Sequence, residues 1–438
     1  KRSDFKDFLQ MRRYESYKDS GVEWLGEVPS HWNLIPNKYI FKLRKNVVGK
    51  RSSEYDLLSL SLKGVIKRDM ENPEGKFPAE FDTYQEVKEG DFIFCLFDVE
   101  ETPRTVGLSS YHGMITGAYT IFETNNVDKK FIYYFYLNLD SDKRLKPLYK
   151  GLRNTISKET FFSFNTFIPP LSEQQKIAQF LDDKTAKIDQ AVDLAEKQIA
   201  LLKEHKQIMI QNAVTRGLNP DVPLKDSGVE WIGKVPEHWE SFRFKRVVEK
   251  VKDGTHGTHS RTEQGYPLLS AKNIFNNGIQ ITDNESLISE YDFKLITSNG
   301  FPRKNDLLVT CVGSIGRCCI YPFDEPMAFQ RSVAFLRLNK KAFPGFYRYF
   351  IESNCYQEQL KINTKLSIQG GVYLGTLIDL YVCFPPLLEQ QTITIYLDTQ
   401  TAKIDQAIAL KTAHIEKLKE YKSVLINDAV TGKVQVSV

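Results

Sequence analysis

From Ser172 to Thr215 the chain reads SEQQKIAQFLDDKTAKIDQAVDLAEKQIALLKEHKQIMIQNAVT, with mostly apolar residues at alternating intervals of three and four. Residues 388–431 read LEQQTITIYLDTQTAKIDQAIALKTAHIEKLKEYKSVLINDAVT and keep this spacing at a shift of 216. The heptad pattern is typical of a helix that lays a narrow apolar seam against a partner helix, here over roughly 65 Å. The predicted seam residues are Leu181, Ile188, Val192, Ile199, Leu202, Leu397, Ile404, Ile408, Ile415 and Leu418.

Further repeats frame the rest of the chain. The segment KDSGVEWLGEVPSHW at 18–32 returns as KDSGVEWIGKVPEHW at 225–239, a shift of 207. The segment PPLSEQQ at 169–175 returns as PPLLEQQ at 385–391, a shift of 216. The second half therefore carries a net insertion, and the framework repeats while the segments between its parts vary.

The two intervening segments, residues 33–168 and 240–384, share little visible sequence. Short runs of β-branched and aromatic residues between Gly, Pro and Asn turns predict mixed α/β domains with more strand than helix. The predicted strands are 57–62, 91–96, 118–123, 268–270, 306–312 and 332–338, and the predicted helical segments are 131–139 and 345–351. Different interiors in one frame suggest the same task performed on two targets, although a duplication without division of labour is also consistent with them.

The short linker after the first long helix decides the helix direction. About nine residues reach only some 30 Å, which is too little to return the chain along a parallel helix pair. We therefore predict an α+β fold, in which two mixed α/β domains lie at opposite ends of a long antiparallel two-helix coiled coil with a pseudo-two-fold internal repeat. The predicted boundaries are 11–168 for the first domain, 169–217 for the first helix, 218–384 for the second domain including a linker at 218–224, and 385–432 for the second helix.

Several framework residues carry local predictions. Ser172 is the expected N-cap of the first long helix. Lys206, Lys411 and Lys422 fall on the seam, where they either snorkel to solvent or select the register. Large apolar side chains in repeated positions predict domain-to-helix packing, with partner docking as the alternative. These side chains are Trp24, Trp32, Trp231 and Trp239.

Composition narrows the class of protein. A chain of 438 residues with 41% hydrophobic and 12% aromatic residues is globular and has room for several domains. No apolar run approaches the roughly 18 residues of a membrane span, and we expect a cytoplasmic protein. Six cysteines without a CxxC pair favour reduced, buried thiols over zinc or disulfides. Met11 looks like a natural start, so residues 1–10 are left out of the predicted fold.

These motifs resemble the specificity subunit of type I restriction-modification systems. The resemblance rests on KDSGVEW-x-G-x-VP-x-HW, PPL-x-EQQ and TAKIDQA, each present twice and flanking two dissimilar domains. It implies two target-recognition domains that each read one half of a bipartite, asymmetric site in double-stranded DNA, with the helices as a ruler for the unread spacer. It also implies two docked methyltransferase subunits, which carry S-adenosylmethionine and methylate adenine at N6, and restriction subunits that can join them.

The chain itself lacks motifs for this chemistry. Ile168 and Phe384 precede the Pro-Pro pairs, where an adenine methyltransferase would need Asp or Asn to hold a flipped base. The TGKV run at 431–434 fails the phosphate-loop pattern. We expect a non-catalytic subunit without its own cofactor or metal. Two alternatives are a two-headed coiled-coil scaffold for proteins without DNA specificity, and a nuclease or methyltransferase that acts alone.

Candidate DNA contacts combine Arg and Lys for phosphates with polar side chains for base edges. In the first domain they are Lys50, Arg51, Ser59, Ser61, Lys63, Arg68, Arg104, Tyr119 and Arg153. In the second domain they are Thr255, His256, His259, Ser270, Lys272, Asn273, Ser314, Arg317, Gln330, Arg331, Lys365 and Gln369. The DGTH run at 253–256 resembles a loop of the same family. For any one residue the alternative is an ordinary solvated side chain, and the two histidines could instead bind a metal, although no suitable third ligand lies nearby in sequence.

Overall fold

The computed structural model describes residues 12–69, 80–149, 154–365 and 371–436 of the chain. These residues divide into two units. Unit 1 comprises the described residues within Lys1–Ala195 and Ala413–Val438, and unit 2 comprises those within Glu196–Thr412. Each unit is therefore built partly from the first long helical stretch and partly from the second.

Unit 1 is organised around an antiparallel sheet of order β4-β11-β8-β9. Its strands are β1 Tyr17–Asp19, β2 Glu27–Pro29, β3 Asn33–Pro36, β4 Phe41–Arg44, β5 Leu58–Ser61, β6 Gly64–Lys67, β7 Gln85–Val87, β8 Phe92–Phe94, β9 Val106–Leu108, β10 Gly113–Ile115, β11 Thr120–Thr124 and β12 Asn165–Ile168. Strands β1 and β2, β3 and β12, β5 and β6, and β7 and β10 form antiparallel pairs. The helices are α1 Lys129–Ser141, α2 Lys158–Ser163 and the long α3 Leu171–Arg216, which begins in this unit.

Unit 2 contains an antiparallel sheet of order β16-β24-β21-β22. Its strands are β13 Leu224–Asp226, β14 Lys234–Pro236, β15 Glu240–Arg243, β16 Val248–Asp253, β17 Tyr266–Leu269, β18 Ile274–Phe275, β19 Gly278–Ile279, β20 Leu287–Ile288, β21 Leu307–Thr310, β22 Cys318–Ile320, β23 Ala328–Phe329, β24 Val333–Leu338 and β25 Tyr381–Phe384. The helices are α4 Glu290–Ser298, α5 Pro344–Glu352, α6 Asn354–Lys365, α7 Leu374–Asp379 and the long α8 Leu387–Val430, which begins in this unit.

The two core sheets have the same plan, although the sequences that form them differ. In each of these sheets the strand that comes first along the chain pairs with the strand that comes last, and the last strand also pairs with one strand of a hairpin. The hairpin strands β8 and β21 are buried along their whole length, because the sheet is covered on both faces. The internal repeat thus extends into the domain interiors, whose sequences share little visible similarity.

The sequence predictions of local structure are largely confirmed. The six predicted strands occur as β5, β8, β11, β17, β21 and β24, and the two helical segments as α1 and α5. The Ser172 N-cap is wrong, because α3 already begins at Leu171 and places Ser172 in its first turn. The carbonyl of Pro170 accepts hydrogen bonds from the backbone N–H groups of Glu173 and Gln174, at 2.9 and 3.0 Å.

The long helices run antiparallel within unit 2. Lys411 Nζ lies 2.6 Å from Gln198 Oε1, and Lys206 Nζ lies 2.7 Å from Asp405 Oδ2. The residue numbers rise along one helix as they fall along the other. With 46 and 44 residues, α3 and α8 are about 69 and 66 Å long.

The seam lysines do more than snorkel, because each contacts the facing helix. In unit 1 Lys422 Nζ lies 2.6 Å from Asp189 Oδ2, which repeats the pairing of Lys206 with Asp405 at a shift of 216. Every apolar residue of the predicted seam is buried or half-buried. The buried ones are Leu181, Ile188, Leu397 and Ile415, and the half-buried ones are Val192, Ile199, Leu202, Ile404, Ile408 and Leu418.

The repeated His-Trp and Glu-Gln-Gln motifs meet in space. In unit 1 the buried Trp32 donates through Nε1 to Glu173 Oε1 at 3.1 Å, and His31 Nε2 lies 2.8 Å from the other carboxylate oxygen. Unit 2 repeats this clamp between Trp239 and Glu389, at 2.8 Å. The predicted packing of these two tryptophans against the long helices is confirmed.

The other two framework tryptophans differ from each other. Arg144 stacks over Trp24 with its guanidinium carbon 4.6 Å from the ring centroid, whereas Trp231 is 40% exposed. The six cysteines are free and buried, as predicted, and burial raises the pKa of the Cys311 and Cys319 thiols to about 12. Within the described residues no helix is both long enough and apolar enough to cross a membrane.

Candidate nucleic-acid interface

Four loops of unit 2 meet around residues 329–332, and we call them the unit 2 loop cluster. They are residues 254–259, 270–273, 311–317 and 329–332. Hydrogen bonds join them, from Thr255 N to Phe329 O at 2.8 Å, from Ala271 N to Ser332 Oγ at 3.0 Å and from Cys311 N to Ser332 O at 2.8 Å. The cluster gathers the predicted residues Thr255, His256, His259, Ser270, Lys272, Asn273, Ser314, Arg317, Gln330 and Arg331.

The DGTH loop is held tightly against the segment after β23. Thr255 and Gln330 form a parallel β-bridge, and Arg331 N donates to Thr255 O at 3.0 Å. A Cβ on Gly254 would overlap the backbone carbonyl of Phe329, so this close approach requires glycine. The two loops form one rigid surface.

The two histidines of this loop have different environments. His259 is nearly buried, with Nδ1 3.0 Å from Asp292 Oδ1 and Nε2 2.9 Å from Thr255 Oγ1. The exposed His256 has Nε2 2.6 Å from Asp253 Oδ2. His259 therefore braces the loop, and His256 faces solvent. In the described ranges no group of three His, Cys, Asp or Glu residues could hold a metal ion.

Residues 270–273 form a small braced turn. The Asn273 side chain accepts from Ser270 N at 2.9 Å and donates to Glu285 Oε1 at 2.8 Å. Lys272 pairs with the same carboxylate at 2.8 Å. The hydrogen bonds from Lys272 and Asn273 lower the pKa of Glu285. Asn273 is only 2% exposed, so its amide positions the turn, while Lys272 reaches the surface.

The cations of the cluster also differ. Arg317 is half-buried over the Phe275 ring, with its guanidinium carbon 4.9 Å from the centroid. Arg331 and Ser314 are exposed, and within the described part of the chain the Arg331 guanidinium makes no hydrogen bond or ion pair. The side chain of Lys365 and the whole of Gln369 lie outside the described part of the chain.

In unit 1 the predicted residues gather less completely. Ser61 shapes the tip of the β5-β6 hairpin, because its Oγ accepts from Lys63 N and donates to Gly64 O, both at 3.1 Å. Arg104 Nη2 donates to Leu62 O at 2.9 Å and ties the β8-β9 loop to this tip. Ser59 is half-buried along the same hairpin, and Lys63 is exposed at its end.

The remaining unit 1 candidates are not joined to the hairpin tip by the described contacts. Lys50 and Arg51 are exposed on the 3₁₀ helix Gly49–Glu54. Arg68 follows β6, and its backbone N donates to Leu57 O at 2.8 Å. Tyr119 is half-buried near Phe97, and burial raises the pKa of its phenol. Arg153 lies outside the described residues.

The residues that position these groups are mostly acidic, and they were not among the predicted site residues. Asp253, Glu285 and Asp292 each orient one of the predicted basic side chains. Only Asp253 had a sequence signal, because it belongs to the DGTH run. The resulting surface combines exposed hydrogen-bond donors with a backbone that neighbouring hydrogen bonds hold in place. Such a surface suits the recognition of a nucleic acid, which presents phosphates and base edges.

Comparisons with known proteins identify the family of the chain. The family described as type I restriction modification DNA specificity domain matches residues 114–203 and 236–420, well over half of the chain. The type I restriction enzyme MjaVIII specificity subunit of Methanocaldococcus jannaschii is 26% identical over 340 residues, which cover 74% of this chain and 75% of that protein. The type I restriction enzyme EcoBI specificity subunit of Escherichia coli is 25% identical over 257 residues, which cover 55% and 54%.

A solved chain shares the fold. It comes from a structure titled as the structural basis of complex assembly and conformational transition of the type I R-M system. The TM-score is 0.68 at 12% identity, with 92% of this chain and 98% of the solved chain covered.

Proposed function

Since the chain belongs to the family of type I restriction-modification DNA specificity proteins, we propose that it is a subunit that selects a bipartite, asymmetric site in double-stranded DNA. Each unit would read one half-site. The observation that carries this proposal is the contrast between the units, which have the same core sheet order and the same helix clamp but different loops. A shared frame with different reading loops is what two different half-sites require.

The long helices would set the length of the unread spacer. Helix α3 is continuous over 46 residues, and it begins in unit 1 and ends in unit 2. A continuous helix resists changes in length, because each of its residues is fixed at about 1.5 Å along the axis. The spacer preference would therefore follow from helix length.

The reactions would belong to partner subunits. We expect two methyltransferase subunits to dock on this chain and to carry S-adenosylmethionine, and restriction subunits to join them. Apolar side chains outside the seam support docking, since Leu388, Ile395, Leu201 and Leu410 are between 64% and 74% exposed on the long helices. Burial of such side chains by a docked subunit would remove apolar surface from water.

Methylation of a random-sequence library tests the proposal. The chain is reconstituted with its methyltransferase subunits and S-adenosylmethionine, and the methylated duplexes are sequenced. We expect a motif with two specified parts and an unspecified spacer. Equal methylation of all sequences would overturn the proposal and favour a protein-interaction scaffold. The same holds if the methyltransferase subunits bind DNA equally well with and without this chain.

Arg331→Ala tests the unit 2 loop cluster. Loss of one base contact should weaken methylation of the preferred site about 10- to 100-fold or relax one base position, whereas loss of a phosphate contact should weaken all sites evenly. Arg303→Ala is the matched control, because Arg303 is an exposed arginine at the opposite end of strand β21 from the loop at 311–317. Equal behaviour of the two variants would remove Arg331 from the interface.

A further inference from the structure

We propose that one tyrosine in each unit, Tyr134 in unit 1 and Tyr349 in unit 2, is a positioning residue that determines which spacer length the protein accepts. The inference rests on the proposed function. Each tyrosine lies on a helix of the recognition domain and binds a long helix. This contact would fix the angle between the domain and that helix. The angle in turn would determine how far a half-site can be displaced and still be bound.

In unit 1 the contact is buried and charge-assisted. The Tyr134 hydroxyl donates to Asp182 Oδ1 at 2.9 Å and lies 3.1 Å from Thr185 Oγ1. Lys130, one turn earlier on α1, pairs with the same carboxylate. Burial and the neighbouring carboxylate raise the pKa of Tyr134, so its hydroxyl keeps the proton that it donates. A hydrogen bond to a charged group is stronger than one between neutral groups.

Unit 2 repeats this contact with a different supporting cation. The Tyr349 hydroxyl donates to Asp398 Oδ1 at 2.7 Å and lies 3.0 Å from Thr401 Oγ1. Arg348 stacks on the tyrosine ring and reaches Asp398 at 3.3 Å. The aspartate and threonine belong to the repeated helix, whereas the tyrosine comes from the domain interior, where the two sequences have little in common. The same joint is therefore present in both units despite their different interiors.

Two further polar contacts attach the unit 2 domain to the long helices, beside an apolar core that includes Ile393 and Leu397 of α8. Glu389 holds Trp239 nine residues before Asp398, which is about 14 Å along α8. On the other long helix, Gln211 Oε1 accepts from Cys355 N at 3.0 Å. Together with the apolar core and the ion pair between Arg348 and Asp398, these contacts on both long helices set the orientation of the domain.

Unit 1 has a counterpart of each contact. Glu173 holds Trp32, and Asn427 Oδ1 lies 3.5 Å from Arg144 Nη1 on the other long helix. Asn427 is the equivalent of Gln211 at the shift of 216. Without the tyrosine hydroxyl, Lys130 still pairs with Asp182 and the apolar core still packs on α3, but the domain is braced less firmly against tilting.

Tilt matters because duplex DNA couples distance to rotation. One added base pair moves a half-site about 3.4 Å along the axis and turns it by roughly 35°. A firmly braced domain resists this movement, and a domain that is braced less firmly follows it more easily. The tyrosine contact therefore separates the accepted spacer from its neighbours without touching a base.

The test uses the full chain with its methyltransferase subunits. Tyr134→Phe, Tyr349→Phe and the double variant are compared with Tyr291→Phe, whose tyrosine is 76% exposed on α4. Methylation rates are measured on duplexes with fixed half-sites and a spacer of the preferred length, one base pair shorter or one longer. We expect the preference for the correct spacer to fall about tenfold in the two joint variants, as for loss of one hydrogen bond to a charged group, with unchanged half-sites and an unaffected control.

The outcomes are separable. A uniform loss of rate on all three spacers would mean that the tyrosines serve stability alone, and it would overturn the inference, as would an unchanged spacer preference. Asp182→Asn and Asp398→Asn provide a second route, because they weaken the contact while each tyrosine stays in place. A wild-type complex that methylates all sequences equally would refute the proposed function itself. This measurement uses only the unmodified chain and precedes the work on the variants.

Discussion

The clamp between Glu389 and Trp239 should contribute strongly to the stability of unit 2. The Trp239 side chain is fully buried, and its Nε1 donates to the Glu389 carboxylate at 2.8 Å. The other carboxylate oxygen lies 2.7 Å from His238 Nε2. Glu389→Ala removes both contacts and leaves a buried indole N–H without its acceptor.

The size of the effect follows from these contacts. Loss of a hydrogen bond to a charged group, with the buried donor left unpaired, costs about 2–3 kcal/mol of unfolding free energy. For a unit of this size, that lowers the unfolding temperature by about 5–10 °C. Glu389→Gln keeps an oxygen acceptor for the indole, and we expect a loss of about 1 kcal/mol, since only the charge assistance disappears.

Thermal unfolding followed by tryptophan emission measures this order. The matched control is Glu416→Ala, a glutamate of α8 whose side chain is 68% exposed and whose partner is Lys419 in the same helix. This control should change the free energy by no more than about 0.5 kcal/mol. If Glu389→Ala and Glu416→Ala unfold at the same temperature, the clamp is not a major source of stability and the reasoning fails.

Three further predictions concern other contacts. Lys206→Asp should lower the unfolding temperature by about 1–2 °C, because an exposed ion pair contributes roughly 0.5 kcal/mol to the unfolding free energy. The double variant Lys206→Asp/Asp405→Lys should restore the unfolding temperature. A double variant as unstable as the single one would contradict the pairing. Gly432→Ala should destabilise unit 1 by about 1–3 kcal/mol more than Gly21→Ala, as measured by thermal unfolding. Both glycines have φ near +70°, but only the Cβ at 432 would overlap Pro29. Acid titration should lower the unfolding free energy of the wild type as the pH falls through the lowered pKa of Glu285, because the folded state stabilises that carboxylate in its charged form. Glu285→Gln should remove the part of this loss that comes from Glu285. Identical acid profiles of the variant and the wild type would refute the prediction.

The long helices and most strands could be predicted because their signals are local. Heptad spacing fixes a helix seam, and short β-branched runs between turns fix strands. The common order of the two core sheets could not be predicted, since it depends on pairing between distant strands that different residues can satisfy equally well. The Ser172 cap was misplaced because Pro170 can start the helix through its carbonyl alone.

The candidate interface could be predicted only in part, and for a related reason. Basic and polar residues on turns are visible in a sequence, but the carboxylates that hold them are distant or unremarkable, as Asp292 is for His259. Tyr134 and Tyr349 lie in domain interiors that share little visible sequence. Their equivalence is seen only in the structure, where they bind matching aspartates of the two long helices, Asp182 and Asp398. Burial likewise separates Asn273 from its exposed neighbour Lys272, which residue type alone cannot do.

The division of the chain into units has a consequence for the order of its synthesis. Unit 2 is one continuous stretch, Glu196–Thr412, whereas unit 1 also needs Ala413–Val438. The buried residues Leu425, Ala429 and Val430 belong to the unit 1 core. Although its domain is translated first, unit 1 cannot complete its core until these last residues have left the ribosome, by which time the whole of unit 2 has been made. A ribosome that stops near residue 412 would thus release a protein whose earliest domain is the incomplete one.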